Sequence, residues 1–183
     1  KLKMRLEENQ MSKRITFQFE DDLDYQMQAI HSTVELFRGL SRHVDGVYRY
    51  NRIHDVTQGN PIRNNDIVVG SRLLENLRKV QLSNDLFADN VLAEGNNFTI
   101  EMETGTGKTY VYLRTILELY QEYGFRKFMI VVPSIAIRKG VEKSMEQLAD
   151  HFKRLYNIDI GKHSFIYDSN NPKQISSKLV ESN

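Results

Sequence analysis

The chain has 183 residues, 40% of them hydrophobic and 27% charged, the proportions of one ordinary globular domain rather than of a disordered or membrane-embedded chain. Its 25 basic and 24 acidic residues leave a formal charge of +1, which excludes a polycation that holds nucleic acid by bulk electrostatics and requires any such site to be local. The absence of cysteine excludes disulfides, thiolate zinc sites and a cysteine nucleophile, and suits a reducing compartment.

Residues 1–14 are expected to be a leader or arm outside the fold; residues 1–10 mix charges with isolated leucines and lack the apolar core of a secretory signal. No later run reaches the roughly 18 apolar residues of a membrane span. The cytoplasm is therefore the expected compartment, with no membrane partner. A helix is predicted over Asp22–Leu40, where Tyr25, Ala29, Ile30, Val34 and Phe37 recur at helical spacing and Gly39 stands near the end. Ser41–Asn65, rich in polar residues and containing Pro61, reads as a long loop. Inside it Tyr48, Arg49, Tyr50 and Arg52 interleave aromatics with arginines, which can stack on and neutralise a nucleic acid but equally describes a solvated loop. A second helix fits Asp66–Gln81, with Leu73, Leu74, Leu77 and Val80 on one face and Asp66 placed to cap it.

Phe98–Met102 alternates β-formers and runs at once into glycines, as a strand entering a loop does. From Lys108 the period changes: Leu113, Ile116, Leu117 and Tyr120 form a helical stripe that ends at Gly124. Phe128–Val132 is apolar on both faces, like a strand inside a parallel sheet, and Pro133 ends it before a further helical stretch from Ala136 to Phe152. Ser164–Asp168 fits one more short strand. Strand, loop, helix, strand, helix is an α/β order and predicts a parallel sheet flanked by helices.

Met102-Glu-Thr-Gly-Thr-Gly-Lys-Thr109 matches the G-x-x-x-x-G-K-[ST] phosphate loop, the Walker A pattern, everywhere except its first glycine. The chemistry needs backbone N–H groups that converge on a phosphate chain at a helix N-terminus. Thr104, Gly105, Thr106 and Gly107 would form that cradle, Lys108 would supply a charge for the outer phosphates, and the Thr109 hydroxyl would join the shell of a magnesium ion. The plainer reading of the same letters is a glycine turn before a helix with a solvated lysine. Met102 in place of glycine points to a motor ATPase rather than a small kinase.

Together with Tyr123-Gly-Phe-Arg-Lys-Phe128 and Val131-Val-Pro-Ser-Ile-Ala-Ile-Arg138, this loop resembles the first two motifs of the large, ATP-dependent subunit of type III restriction enzymes, a superfamily 2 helicase-like translocase. The resemblance implies an incomplete first RecA-like P-loop NTPase lobe over residues 15–183 with an insertion over 41–95. It implies ATP and magnesium as cofactors, and double-stranded DNA and a separate modification methyltransferase subunit as partners. Pro133, Ser134 and Arg138 would face the DNA, although Ser134 also fits a helix cap and Arg138 a solvated arginine. Leu23-Asp-Tyr-Gln-Met-Gln-Ala-Ile30 resembles the family's adenine-reading segment, with Gln26 as the reader; a solvated residue on a surface helix is its alternative.

A working motor also needs paired acids after a buried strand, to hold magnesium and orient water. Asp159 and Asp168 are lone acids and Glu181 sits in the polar tail, so the chain is expected to be an N-terminal fragment that does not hydrolyse ATP efficiently by itself, although the full-length protein would be an ATP-dependent restriction endonuclease. Two rivals share the loop: another superfamily 2 helicase or type I restriction motor lobe, and a P-loop kinase or non-catalytic nucleotide-binding module.

Overall fold

The computed structural model describes residues 23–40, 71–92 and 96–167, together with the backbone of 42–44 and 47–49. Among them are four helices, α1 (Asp24–Glu35), α2 (Ser71–Ser83), α3 (Lys108–Tyr123) and α4 (Ile135–Tyr156), and two short strands, β1 (Arg42–Val44) and β2 (Val47–Arg49). Residues 1–14, expected to be a leader or arm, residues 50–70 with Asp66, Asp168 and Glu181 lie outside the described residues.

α3 is the axis of the fold, packed against both α1 and α4, while α1 also touches α2. Its limits follow from two glycines: Gly107 at φ 84° precedes it, and Gly124 at φ 71° closes it with its N–H on the carbonyls of Leu119 and Tyr120, a left-handed stop that costs an L-residue more than glycine. The core gathers around this helix. Ile30 of α1, Tyr110, Val111, Leu113 and Leu117 of α3, and Leu148 and Phe152 of α4 form it, closed by Ile160 beyond α4. α3 is buried more widely than its predicted stripe, because Arg114 and Thr115 are buried too whereas Tyr120 is exposed.

α1 is shorter than predicted. After Glu35 the chain tightens into i→i+3 turns, Phe37 N–H to Val34 at 3.1 Å and Arg38 N–H to Glu35 at 3.1 Å, before Gly39 turns left-handed. The carbonyls this leaves open are met from α2: the buried Asn76 donates its Nδ2 to Leu36 O at 2.9 Å and Arg38 O at 2.8 Å. An amide in the middle of α2 thus caps α1 and joins the two helices.

The predicted parallel sheet is overturned. Among the described residues the only sheet is the antiparallel pair of β1 and β2, with Arg42 opposite Arg49, His43 opposite Tyr48 and Val44 opposite Val47. Residues 98–102 and 128–132 form no strand, nor do 164–167. The second of these segments is not buried on both faces: Met129 is 83% and Val131 82% exposed. The cause lies in what an apolar run can report. A helix closes its hydrogen bonds within its own segment, so periodicity suffices to find it. A strand exists only as a ladder with a neighbour, and no described strand stands beside either run.

Candidate nucleotide site

The loop from Met102 to Lys108 joins the segment before α3 to the helix itself. Gly105 and Gly107 both take φ 84°, and for two different reasons. A Cβ at Gly105 would meet nothing within 4 Å, whereas one at Gly107 would lie 2.5 Å from Nε2 of Gln26. Gly105 is required by conformation alone, Gly107 by conformation and by the close approach of α1. The Thr106 hydroxyl donates to Glu103 O at 2.7 Å and closes the turn. Lys108, the first residue of α3, folds its ammonium back across the loop onto the carbonyls of Met102 and of Glu103, the latter at 2.8 Å.

Gln26 is buried on α1, and its Nε2 donates to Thr106 O at 2.8 Å. The two residues are 80 positions apart, so tertiary packing brings this amide onto the loop. One N–H of its amide is engaged by the loop backbone, and a glutamine amide has a second N–H and a carbonyl besides. Thr104, Gly105 and Lys108 are exposed and Thr106, Gly107 and Thr109 partly so. The loop is therefore open to solvent, and to a ligand, at Thr104, Gly105 and Lys108. Glycines in left-handed conformation at the positive end of a 16-residue helix, with an ammonium already in the loop, fit a phosphate chain. Thr109 is partly exposed in the first turn of α3.

Gly107→Ala is expected to destabilise the chain by about 1–2 kcal/mol from the left-handed backbone alone, with further displacement of Gln26. Thermal melts of Gly105→Ala and Gly107→Ala check this. A larger loss at Gly105 would show that the approach of α1 does not shape the loop.

The second group of predicted site residues lies at the start of α4. Ser134, in extended conformation, is its N-cap, and its Oγ accepts the N–H of Ile137 at 3.2 Å. Arg138 sets its Nε 3.5 Å from Oε1 of Glu142, and Pro133 is exposed.

A polar ladder that sequence reading missed joins α3 to the C-terminal half of α4. Arg114 of α3 donates from Nη1 to Tyr110 Oη at 2.8 Å and from Nε to Tyr156 Oη at 3.1 Å. Tyr156 of α4 donates to Glu118 at 2.5 Å, and Tyr110 Oη lies 3.4 Å from Nε2 of the buried His151. Burial, and then the hydrogen bond to Glu118, push the Tyr156 phenol well above its usual range, so it stays a neutral donor. The ladder fixes α4 against the helix that begins at Lys108. The i, i+4, i+8 spacing of Tyr110, Arg114 and Glu118 was the signal available, obscured because such spacing also describes a solvated helix face.

The family model described as Type III restriction enzyme, res subunit, matches residues 21–178. The chain is 29% identical over 149 residues to the type III restriction-modification enzyme EcoPI Res subunit of Escherichia phage P1, covering 79% of this chain and 14% of that protein. It is 37% identical over 89 residues to the EcoP15I Res subunit of Escherichia coli, 46% of this chain and 9% of the relative. With the StyLTI Res subunit of Salmonella typhimurium it shares 47% identity over 62 residues, 33% of this chain and 6% of the relative. The chain thus spans a small part of the length of the curated relatives it matches.

Proposed function

The chain belongs to the type III restriction enzyme Res subunit family, and from that premise we propose that it is the ATP-binding part of a DNA-translocating restriction subunit. The observation that carries the proposal is the convergence of three independent parts on one loop: two left-handed glycines, the Lys108 ammonium, and Gln26 delivered from α1. Backbone N–H groups of residues 104–108 would hold the phosphates, Lys108 would turn from the loop carbonyls to their outer oxygens, and Thr109 would complete the shell of magnesium. Bound magnesium-ATP would supply the free energy of phosphoryl transfer to the whole protein. Gln26 would keep one N–H on Thr106 and offer its carbonyl to the exocyclic amine of adenine.

In the whole protein, ATP hydrolysis would drive movement on double-stranded DNA and its cleavage, in the cytoplasm and together with a modification methyltransferase subunit. The relatives are restriction-modification enzymes by name, and Pro133, Ser134 and Arg138 would be the part of this chain that meets DNA.

Calorimetric titration with magnesium-ATP, and separately with magnesium-GTP, tests the reading. Saturable binding of ATP is expected, with discrimination against GTP that Gln26→Ala reduces. A folded chain that binds neither nucleotide would overturn the proposal.

A further inference from the structure

The first five residues of α4 end in two adjacent cations, Arg138 and Lys139, with no acidic residue in the first turn. Cations at a helix N-terminus oppose its dipole, so helix stability does not account for them. What offsets them is one carboxylate. Glu142 sets Oε1 3.5 Å from Arg138 Nε and accepts from Lys139 Nζ on Oε2 at 2.7 Å, and its side chain is only 18% exposed against 40% and 66% for the cations. Arg138 Nε and Glu142 Oε1 are both shielded from solvent, yet they face each other in ion-pair rather than hydrogen-bond geometry. Two oxygens spread over two neighbouring cations are the arrangement a phosphate diester would itself adopt.

We propose that Glu142 is a gate on this basic pair: it occupies Arg138 and Lys139 in place of a nucleic-acid phosphate, and binding of DNA at the start of α4 requires its displacement. The inference rests on the reading of Arg138 as a DNA contact. An ion pair along a helix whose cations are 40% and 66% exposed is weak, whereas duplex DNA presents a charge about every 1.7 Å along its axis, so the exchange favours DNA once the duplex is docked. Before docking, the gate lowers the affinity of the free chain for any polyanion. Ser134 takes no part in the ion pair: its oxygen accepts from the Ile137 N–H, and it would meet a phosphate through its hydroxyl proton.

The test is fluorescence-anisotropy titration of the full chain with a labelled double-stranded oligonucleotide over a series of salt concentrations. Glu142→Gln keeps the shape and removes the charge; Glu146→Gln, at an exposed position one turn on, controls for the change in net charge. Glu142→Gln is expected to tighten binding roughly three- to tenfold and to steepen the slope of log affinity against log salt by about one, with Glu146→Gln changing neither by as much. Equal effects of the two variants would overturn the gate, as would an unchanged Glu142→Gln beside an Arg138→Ala that weakens binding; the DNA reading would survive both. If Arg138→Ala and Lys139→Ala leave the affinity of Glu142→Gln intact, or if no variant binds DNA, the DNA reading falls and the gate with it.

Discussion

Lys108→Ala is expected to weaken magnesium-ATP binding about tenfold to a hundredfold while leaving the folded structure almost unchanged. A hydrogen bond to a charged group contributes about 1.5–3 kcal/mol, and about 1.4 kcal/mol is a factor of ten in affinity. In the free chain the ammonium already lies inside the loop, on the neutral carbonyls of Met102 and Glu103, so little rearrangement is needed to exchange them for phosphate oxygens. Because Lys108 and Glu103 are exposed and Met102 is only partly buried, water can replace the ammonium on those carbonyls when the lysine is removed, and the denaturation midpoint should move little. Titration calorimetry beside urea unfolding separates the two effects. Equal affinity in variant and wild type would mean that the loop does not bind the triphosphate through Lys108.

For stability the largest effect is expected from Phe152→Ala, about 3–5 kcal/mol. Phe152 is fully buried and meets three rings: it stacks on Tyr110 at 5.6 Å and 19°, and it packs edge-on or tilted against His151 at 5.4 Å and Tyr156 at 6.2 Å. Removing it opens a cavity beside the ladder that holds α3 against α4, and the rigid rings around it cannot collapse to fill the space. A domain of this size has about 5–15 kcal/mol of stability in all, so the variant is expected to be partly unfolded at 37 °C. Leu155→Ala on the same helix, where the side chain is 40% exposed, is the comparison and should cost less than about 1 kcal/mol. Similar midpoints for the two variants in urea would show that α4 does not pack through Phe152.

The sequence by itself determined the elements whose physics is local. α3 runs from Lys108 to Tyr123 and α4 through Ala136–Phe152 because helical hydrogen bonds close within the segment, while Gly107, Ser134 and Gly124 mark their ends through left-handed or capping geometry. The letters of the proposed phosphate loop are legible for the same reason, since a cradle of backbone N–H groups at a helix start would be built from consecutive residues. Family membership followed from those letters and the Val131–Arg138 run.

Tertiary structure alone decided everything that depends on a distant neighbour. It packed Gln26 onto Thr106 and Gly107 across 80 residues, used Asn76 to cap α1, and assembled the buried ladder of Tyr110, Arg114, Glu118 and Tyr156. It also denied the parallel sheet that the apolar runs at 98–102 and 128–132 suggested. A side chain's own chemistry fixes what it can bond to; which group stands opposite it is a property of the packed chain, and for a strand that opposite group is the whole of its hydrogen bonding.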